Sequence, residues 1–256
     1  MRKYFLIPLL LFTAINLKAQ VPGYMGKKFS AGYNLHFYMG GLQSESRKYD
    51  AQYFVYQPQF FINKFHEAHA DYVLANNYSL GISCEFLRTG KYYSESSNNY
   101  YNNYDSDNYL NIAATTIRVN NKFFFYKSGS ALAPIGNYGQ VSVGVISAKP
   151  TAKLKGTNQT DSGTFYFSKI VNFDRVTTPI IAAGFGNQSI FFDRLILDVG
   201  LEVAFVPGAV SSFTNTHYSS YYTSYPNKET AKEETLKRLQ TFYVSSVKVG
   251  IGILLF

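Results

Sequence analysis

The chain has 256 residues, 18% of them aromatic and 16% charged, with 23 Tyr, 22 Phe and no Trp. A soluble domain usually carries about 25% charged residues, so this composition is charge-poor and aromatic-rich. One Cys excludes a disulfide scaffold and a cysteine-based zinc site. The formal net charge of +8 includes Arg2, Lys3 and Lys18 of an N-terminal leader, and the remaining excess is too modest to indicate nucleic-acid binding. A mean hydropathy of −0.12 excludes a bundle of membrane helices.

Met1, Arg2 and Lys3 form a positive n-region, followed by an apolar run from Tyr4 to Ile15. That run falls short of the roughly 20 residues that span a bilayer as a helix. Leu17-Lys18-Ala19 supplies small or apolar residues at −3 and −1 of a cleavage point before Gln20. Residues 1–19 therefore read as a cleaved secretory signal peptide, and residues 20–256 as the exported domain. No Cys follows the cleavage point, which argues against a lipoprotein anchor.

Beyond the leader the dominant signal is period two, the mark of half-buried strands. It begins at Phe29, Ala31, Tyr33, Leu35, Phe37 and Met39, which alternate with Ser30, Gly32, Asn34, His36 and Tyr38. Segments 66–75, 78–88, 113–126 and 138–147 continue it, opposing Tyr72, Ile82, Ile117 and Val143 to Asp71, Ser83, Arg118 and Ser142. Segment 178–192 is ambiguous, with Ile181 and Phe185 on one face but Ile180 and Ala182 on the other. Segments 195–205 and 246–255 are the cleanest, setting Leu195 to Phe205 and Val247 to Leu255 against Asp198, Gly200, Glu202, Lys248 and Gly250.

These eight segments each approach the roughly 9–11 residues of a tilted transmembrane strand. The connections alternate in length. Asn76-Asn77 and Asp193-Arg194 read as tight turns and 127–137 as a short link, whereas 41–65, 94–110, 154–176 and 208–239 read as long loops. Short turns on one side and long loops on the other mark an outer-membrane barrel. Both termini on the short-turn side require an even strand number, so Tyr53 to Ile62 is taken as strand extension or loop, and eight strands are favoured over ten. In hydrocarbon every backbone polar group needs an internal partner, so strands can cross only as a closed barrel. Tyr24, Tyr78, Phe123 to Tyr126, Phe191 and Phe192 are candidates for interfacial girdles.

The leader ending in Ala19-Gln20, the opening Val21-Pro22-Gly23-Tyr24 and the terminal strand ending in Phe256 resemble the small outer-membrane β-barrel proteins of Gram-negative bacteria, the OmpA-like and porin-like group. The resemblance covers essentially all of residues 20–256. It implies an all-β, antiparallel transmembrane barrel in the outer membrane, among lipid and lipopolysaccharide. It also implies that Phe256 serves as a signal to the barrel-assembly machinery, although Leu255, Ile253 and Ile251 run one residue out of phase with that aromatic.

The non-apolar parity places Glu67, Asp71, Glu85, Asp198 and Glu202 in the lumen with Arg118, Lys122 and Lys248, and with His69 nearby. Eight strands leave room for side chains and little else, and isolated charges there are costly. The expected arrangement is a salt-bridged plug, and the alternative is a narrow pore whose charges select ions. His36, His66, His69 and His217 show no metal-ligand spacing, and no cofactor is expected. His66 and His69 fall on opposite faces of one strand. His217-x-Ser219 resembles the His-x-Ser of small-barrel lipid A deacylases in two residues and nothing more.

Gly184-Phe185-Gly186 opens no helix and is no dinucleotide loop, and Cys84 falls on the apolar face as a small residue. Tyr92 to Asn111 and Ser219 to Asn227 are Tyr, Asn and Ser tracts, suited either to gripping a surface glycan or protein or to plain solvation. Residues 228–239 have the Glu/Lys spacing of a solvated helix. The sequence thus points to a non-enzymatic plugged barrel, with a small passive channel as the alternative and a lipid-modifying enzyme as the third reading.

Overall fold

The computed structural model describes residues 23–39, 62–99, 102–125, 133–160, 163–209 and 228–256. The leader, His217, Ser219 and the segment Tyr53 to Phe61 lie outside them. The strands are β1 (Phe29–Met39), β2 (Ile62–Ala75), β3 (Tyr78–Asn99), β4 (Asn102–Phe124), β5 (Gly136–Thr160), β6 (Gly163–Asn172), β7 (Val176–Phe191), β8 (Leu195–Phe205) and β9 (Ser246–Leu254). Among the described residues, a 3-10 turn at Pro207–Ala209 and a helix, α1 (Lys228–Tyr243), precede β9. Among the described residues no helix is long and apolar enough to cross a membrane.

The strands pair antiparallel in the ring β1-β2-β3-β4-β5-β7-β8-β9, and β9 returns to β1. β6 is not a ninth stave. It pairs with residues 151–160 of β5 while β7 pairs with residues 136–148, so the two form one wall element interrupted at Phe173–Arg175. The fold is a closed antiparallel barrel of eight staves. Closure gives every central strand two hydrogen-bonded neighbours and leaves no edge in the wall.

The eight segments read from period two are the eight staves. The expected loops at 94–110 and 154–176 are corrected: the β3–β4 ladder continues to Asn99↔Asn102, and the β5–β6 ladder to Thr160↔Gly163. In sequence, Tyr92 to Asn111 is a Tyr, Asn, Ser and Asp tract with no apolar residue at every second position, so it carries no period-two signal, although Tyr and Thr favour strands. The tight turn at Asn76–Asn77 sits as read. The other turn contains Asp193 and Arg194 as read and takes in Phe192 as well, with left-handed φ values of 53° and 57° at Phe192 and Asp193.

Backbone contacts at the chain ends close the seam. The amides of Lys28 and Phe29 both donate to the carbonyl of Phe256 at 2.5 Å, and the Leu255 amide donates to Phe29 at 2.8 Å. The Phe29 and Phe256 rings stack with centroids 5.3 Å apart. Tyr24 and Lys27 tie this corner to the β7–β8 turn, donating to the Asp193 carboxylate and carbonyl respectively, each at 2.9 Å. Phe256 itself remains 72% exposed at the rim.

Alternation then sorts the wall into two surfaces. Ile82, Ile117, Val143, Phe185, Leu201 and Ile251 point outward and are exposed in the isolated chain. Inward positions fall into three tiers. Val73, Phe124, Ala133 and Tyr138 form an apolar floor. Charged and amide side chains fill the middle. Phe65, Leu87, Leu110, Ile112, Ile146 and Ile180 form an apolar roof.

Helix α1 completes the roof. The sequence reading of a short solvated helix at 228–239 is corrected: the helix runs to Tyr243 and buries Ala231, Thr235, Leu239 and Phe242. That spacing of four, four and three residues is one helical face, turned onto the roof while Lys232 stays exposed. Gln240 locks the helix to the wall. Its Oε1 accepts from the Val206 amide at 2.7 Å and its Nε2 donates to the Ala204 carbonyl at 3.3 Å. Those are backbone groups at the end of β8 that a strand partner would otherwise satisfy. Outside the barrel, Lys228 pairs with Asp174, and the hydrogen bond to that carboxylate, aided by its charge, raises the lysine pKa. The helix is therefore held at both ends, as a cork.

Candidate functional site

The middle tier gathers all eight charges assigned to the lumen by parity. Glu67, Asp71, Glu85, Arg118, Lys122, Asp198, Glu202 and Lys248 are each at most 5% exposed. They come from β2, β3, β4, β8 and β9, one or two per stave, because residues two apart on a strand share a face.

In the lower half, Lys122 donates to Asp71 at 2.7 Å, and Lys248 lies 3.3 Å from Asp198. Tyr138 donates to Asp198 at 2.7 Å, and its ring lies 5.3 Å from the Lys122 Nζ and 5.2 Å from the Lys248 Nζ. One tyrosine thus braces both lysines by its quadrupole and orients the carboxylate between them. Gln188 and Gln140 add bonds to Asp198 and from Lys248 at 3.2 and 3.3 Å. Gly186 makes room for this Tyr: a Cβ there would stand 2.7 Å from the Tyr138 Cζ.

In the upper half, Arg118 bridges two carboxylates. Its Nη1 donates to Glu202 at 2.6 Å, and its Nη2 pairs with Glu85. Glu67 accepts from Asn34 at 3.2 Å and sits 2.5 Å from the Nε2 of His36, whose Nδ1 faces Ser246 at 3.3 Å. The cork enters here as well. The Tyr243 hydroxyl donates to Glu85 at 3.0 Å and lies 2.8 Å from the Thr116 hydroxyl. Gly144 clears the path of the arginine, since a Cβ there would meet the Arg118 Cγ at 2.7 Å.

The two halves differ in charge balance. Asp71 and Asp198 are matched one for one by Lys122 and Lys248, whereas Glu67, Glu85 and Glu202 share one fixed cation, Arg118. His36 stands beside Glu67 in the same tier. Nitrogen of His36 and oxygens of Glu67 and Glu85 all lie within 4.8 Å of one another. Arg118 already occupies that cluster as its cation, and a metal ion would meet like charge there, so the donor set does not fit a resident metal.

Parity reading recovered the charges but not their pairing. Arg118 pairs with Glu202, but Lys122 does not extend that bridge and turns to Asp71 instead. His69 faces inward, 3.9 Å from Asp71, and His66 faces outward against the Tyr33 hydroxyl. His36 and Tyr243 went unassigned. His36 shared the Ser30-Asn34 parity, which could have placed it, and Tyr243 lies in a helix whose approach to the lumen has no local signal. The side chains of the Tyr/Asn tract at 92–109 are outside the described set, as is the tract at 219–227.

No family model matches the chain, and no curated protein matches it. Solved structures similar to it include the N-terminal β-barrel domain of OprF from Pseudomonas aeruginosa, at 9% identity and TM-score 0.35, covering 89% of this chain and 97% of that one. Ail, the attachment invasion locus protein of Yersinia pestis, in complex with the heparin analogue sucrose octasulfate, is similar at 12% identity and TM-score 0.33, covering 89% and 96%. Likeness at this level concerns architecture only, and the strand pairing already establishes the barrel.

Proposed function

We propose that the chain is an integral outer-membrane barrel without enzymatic activity, exported by residues 1–19, with a sealed lumen and outward hairpins that contact the surroundings or stabilise the envelope. The observation that carries this reading is the burial of eight charges between an apolar floor and a corked apolar roof. Buried ion pairs do not stabilise a fold as well as apolar packing. What they supply in a lumen is a filling that holds no water file and binds the staves across the ring. The same burial disfavours a passive channel, which needs a hydrated path.

Planar-bilayer conductance of the refolded chain tests this. Silence of the unmodified protein is the expected result, and steady openings would move the assignment to a passive channel. The membrane reading has its own check in Leu201→Arg. Leu201 is 61% exposed on the outer surface, and a cation at the bilayer midplane costs about 2–4 kcal/mol. Folding yield into vesicles should fall at Leu201→Arg, whereas Lys232→Glu on the cork's outer face should leave it unchanged. Equal yields from both would place Leu201 away from lipid.

A further inference from the structure

The outer surface carries one arrangement of charge that neither the sealed lumen nor the apolar wall explains. Following the hydrogen-bonded register across the sheet, Phe37 stands opposite Lys64, Arg88 opposite Ala113, and Ala113 opposite Lys149. The β2–β3 register ends at His66↔Phe86 and, continued by two residues, sets Lys64 beside Arg88; the β5–β7 register ends at Ala148↔Val176 and, continued by one, sets Lys149 beside Arg175. Four exposed cations therefore share a single cross-strand row on the outside of the barrel. Arg175 also donates to the Ser147 hydroxyl at 3.4 Å, and the neighbouring Asp174 is taken by Lys228. No carboxylate among the described residues pairs with any of the four.

Like charges directly opposite on a sheet are destabilising, so such a row calls for an anion from outside the chain. Its position says which kind. Among the described side chains, Phe86 is the last exposed apolar residue on the outer face of β3 and Arg88 follows it directly. Among those of β5 it is Val145, with Ser147 between it and Lys149. Tilted staves carry the row obliquely, from the rim of the apolar band upward. This is the depth at which lipid headgroups would surround the barrel, provided that the chain spans a membrane as proposed.

The charges also come in two doublets, Lys64 with Arg88 and Lys149 with Arg175, separated by the small Ala113. Two inter-strand spacings of about 4.8 Å put Arg88 and Lys149 roughly 10 Å apart. We infer that this row is a binding site for a bis-phosphorylated glycolipid of the surrounding leaflet, with one phosphate on each cationic doublet and the acyl chains against the apolar band below. Arg in each doublet offers a fork to phosphate oxygens, and Lys adds a point charge.

The test uses the full mature chain refolded into phosphatidylcholine nanodiscs, with hexa-acyl glucosamine disaccharide lipid carrying two, one or no phosphates added as the probe. Native mass spectrometry counts retained glycolipid. The unmodified barrel should retain the bis-phosphorylated form. Retention of the mono-phosphorylated form should be weaker by about tenfold, and the unphosphorylated form should behave as bulk lipid. Lys64→Gln/Arg88→Gln/Lys149→Gln/Arg175→Gln should lose at least about tenfold in retention, while Lys27→Gln/Lys28→Gln/Arg194→Gln at the opposite rim should not.

Equal retention by the four-site variant and the unmodified chain would overturn the inference, as would indifference to the number of phosphates. Equally tight capture of a soluble bis-phosphate lacking acyl chains would overturn it in favour of a soluble polyanion. Failure of the unmodified chain to insert into phosphatidylcholine alone would instead remove the membrane reading beneath it. That result is scored before any glycolipid is added.

Discussion

Arg118→Ala should be the most damaging single substitution in the lumen, costing on the order of 3–5 kcal/mol, the usual consequence of removing one partner from a buried ionic group. The side chain is fully buried and serves Glu202 and Glu85 together. Its loss leaves Glu67, Glu85 and Glu202 in one tier without their guanidinium. Glu202→Gln should cost less, because it removes one charge from the side in surplus and leaves Arg118 with Glu85. Gly144→Val should approach the arginine deletion by another route, since its Cβ would collide with the Arg118 Cγ and with the Ile117 carbonyl. Chemical unfolding in detergent micelles, followed by heat-modifiable gel mobility, ranks the three. If Glu202→Gln proved as harmful as Arg118→Ala, charge surplus would not govern this tier. In planar bilayers Arg118→Ala should also turn a silent barrel into a small leak selective for cations, since three carboxylates without their guanidinium must recruit water and counter-ions.

How far the sequence leads depends on whether a residue answers to a local rule. The wall obeys one rule throughout: outward apolar, inward polar or small, every second residue. Segments 195–205 and 246–255 follow it fully, and β8 and β9 were legible to within a residue. Segment 178–192 broke the rule because Ile180 and Ala182 face inward onto the roof under the cork. What read as ambiguity was the imprint of a third element inside the barrel. The β3–β4 hairpin broke it in the opposite sense, since the Tyr, Asn, Ser and Asp run of Tyr92 to Asn111 has no apolar residue at every second position to betray a strand. Parity also sorted the eight lumen charges, but partner choice lies beyond it. Lys122 selects Asp71, and Lys248 selects Asp198, from distances set by stagger around the ring, which no single strand encodes. Helix α1 was legible as a helix from its Glu/Lys spacing. Its burial was not, because Leu236, Leu239 and Phe242 gain meaning only once an apolar roof exists to receive them.

Leu239→Asp should expel that cork. Leu239 is fully buried on the helix face that meets the roof, and a carboxylate there would have no cation within the apolar cluster. A buried unpaired charge costs more than the packing of one short helix returns, so the helix, not the barrel, should yield. The staves keep their ladders, and heat-modifiable mobility should persist. Residues 228–243 should become open to trypsin at Lys232, Lys237 and Arg238, which the seated helix should protect in the unmodified protein. Tyr243→Phe offers a milder comparison. It removes the hydroxyl that donates to Glu85 while preserving the ring against Phe65 at 5.3 Å. Its cost should be about 1–3 kcal/mol, with the helix still seated. Conductance then separates cork from filling. Leu239→Asp alone should remain silent, since the charged tier and the Tyr138 floor lie below the cork. Combined with Arg118→Ala it should conduct more than Arg118→Ala does. If Leu239→Asp alone opened a steady current, the helix would be the gate of a pore and the charged tier its selectivity filter.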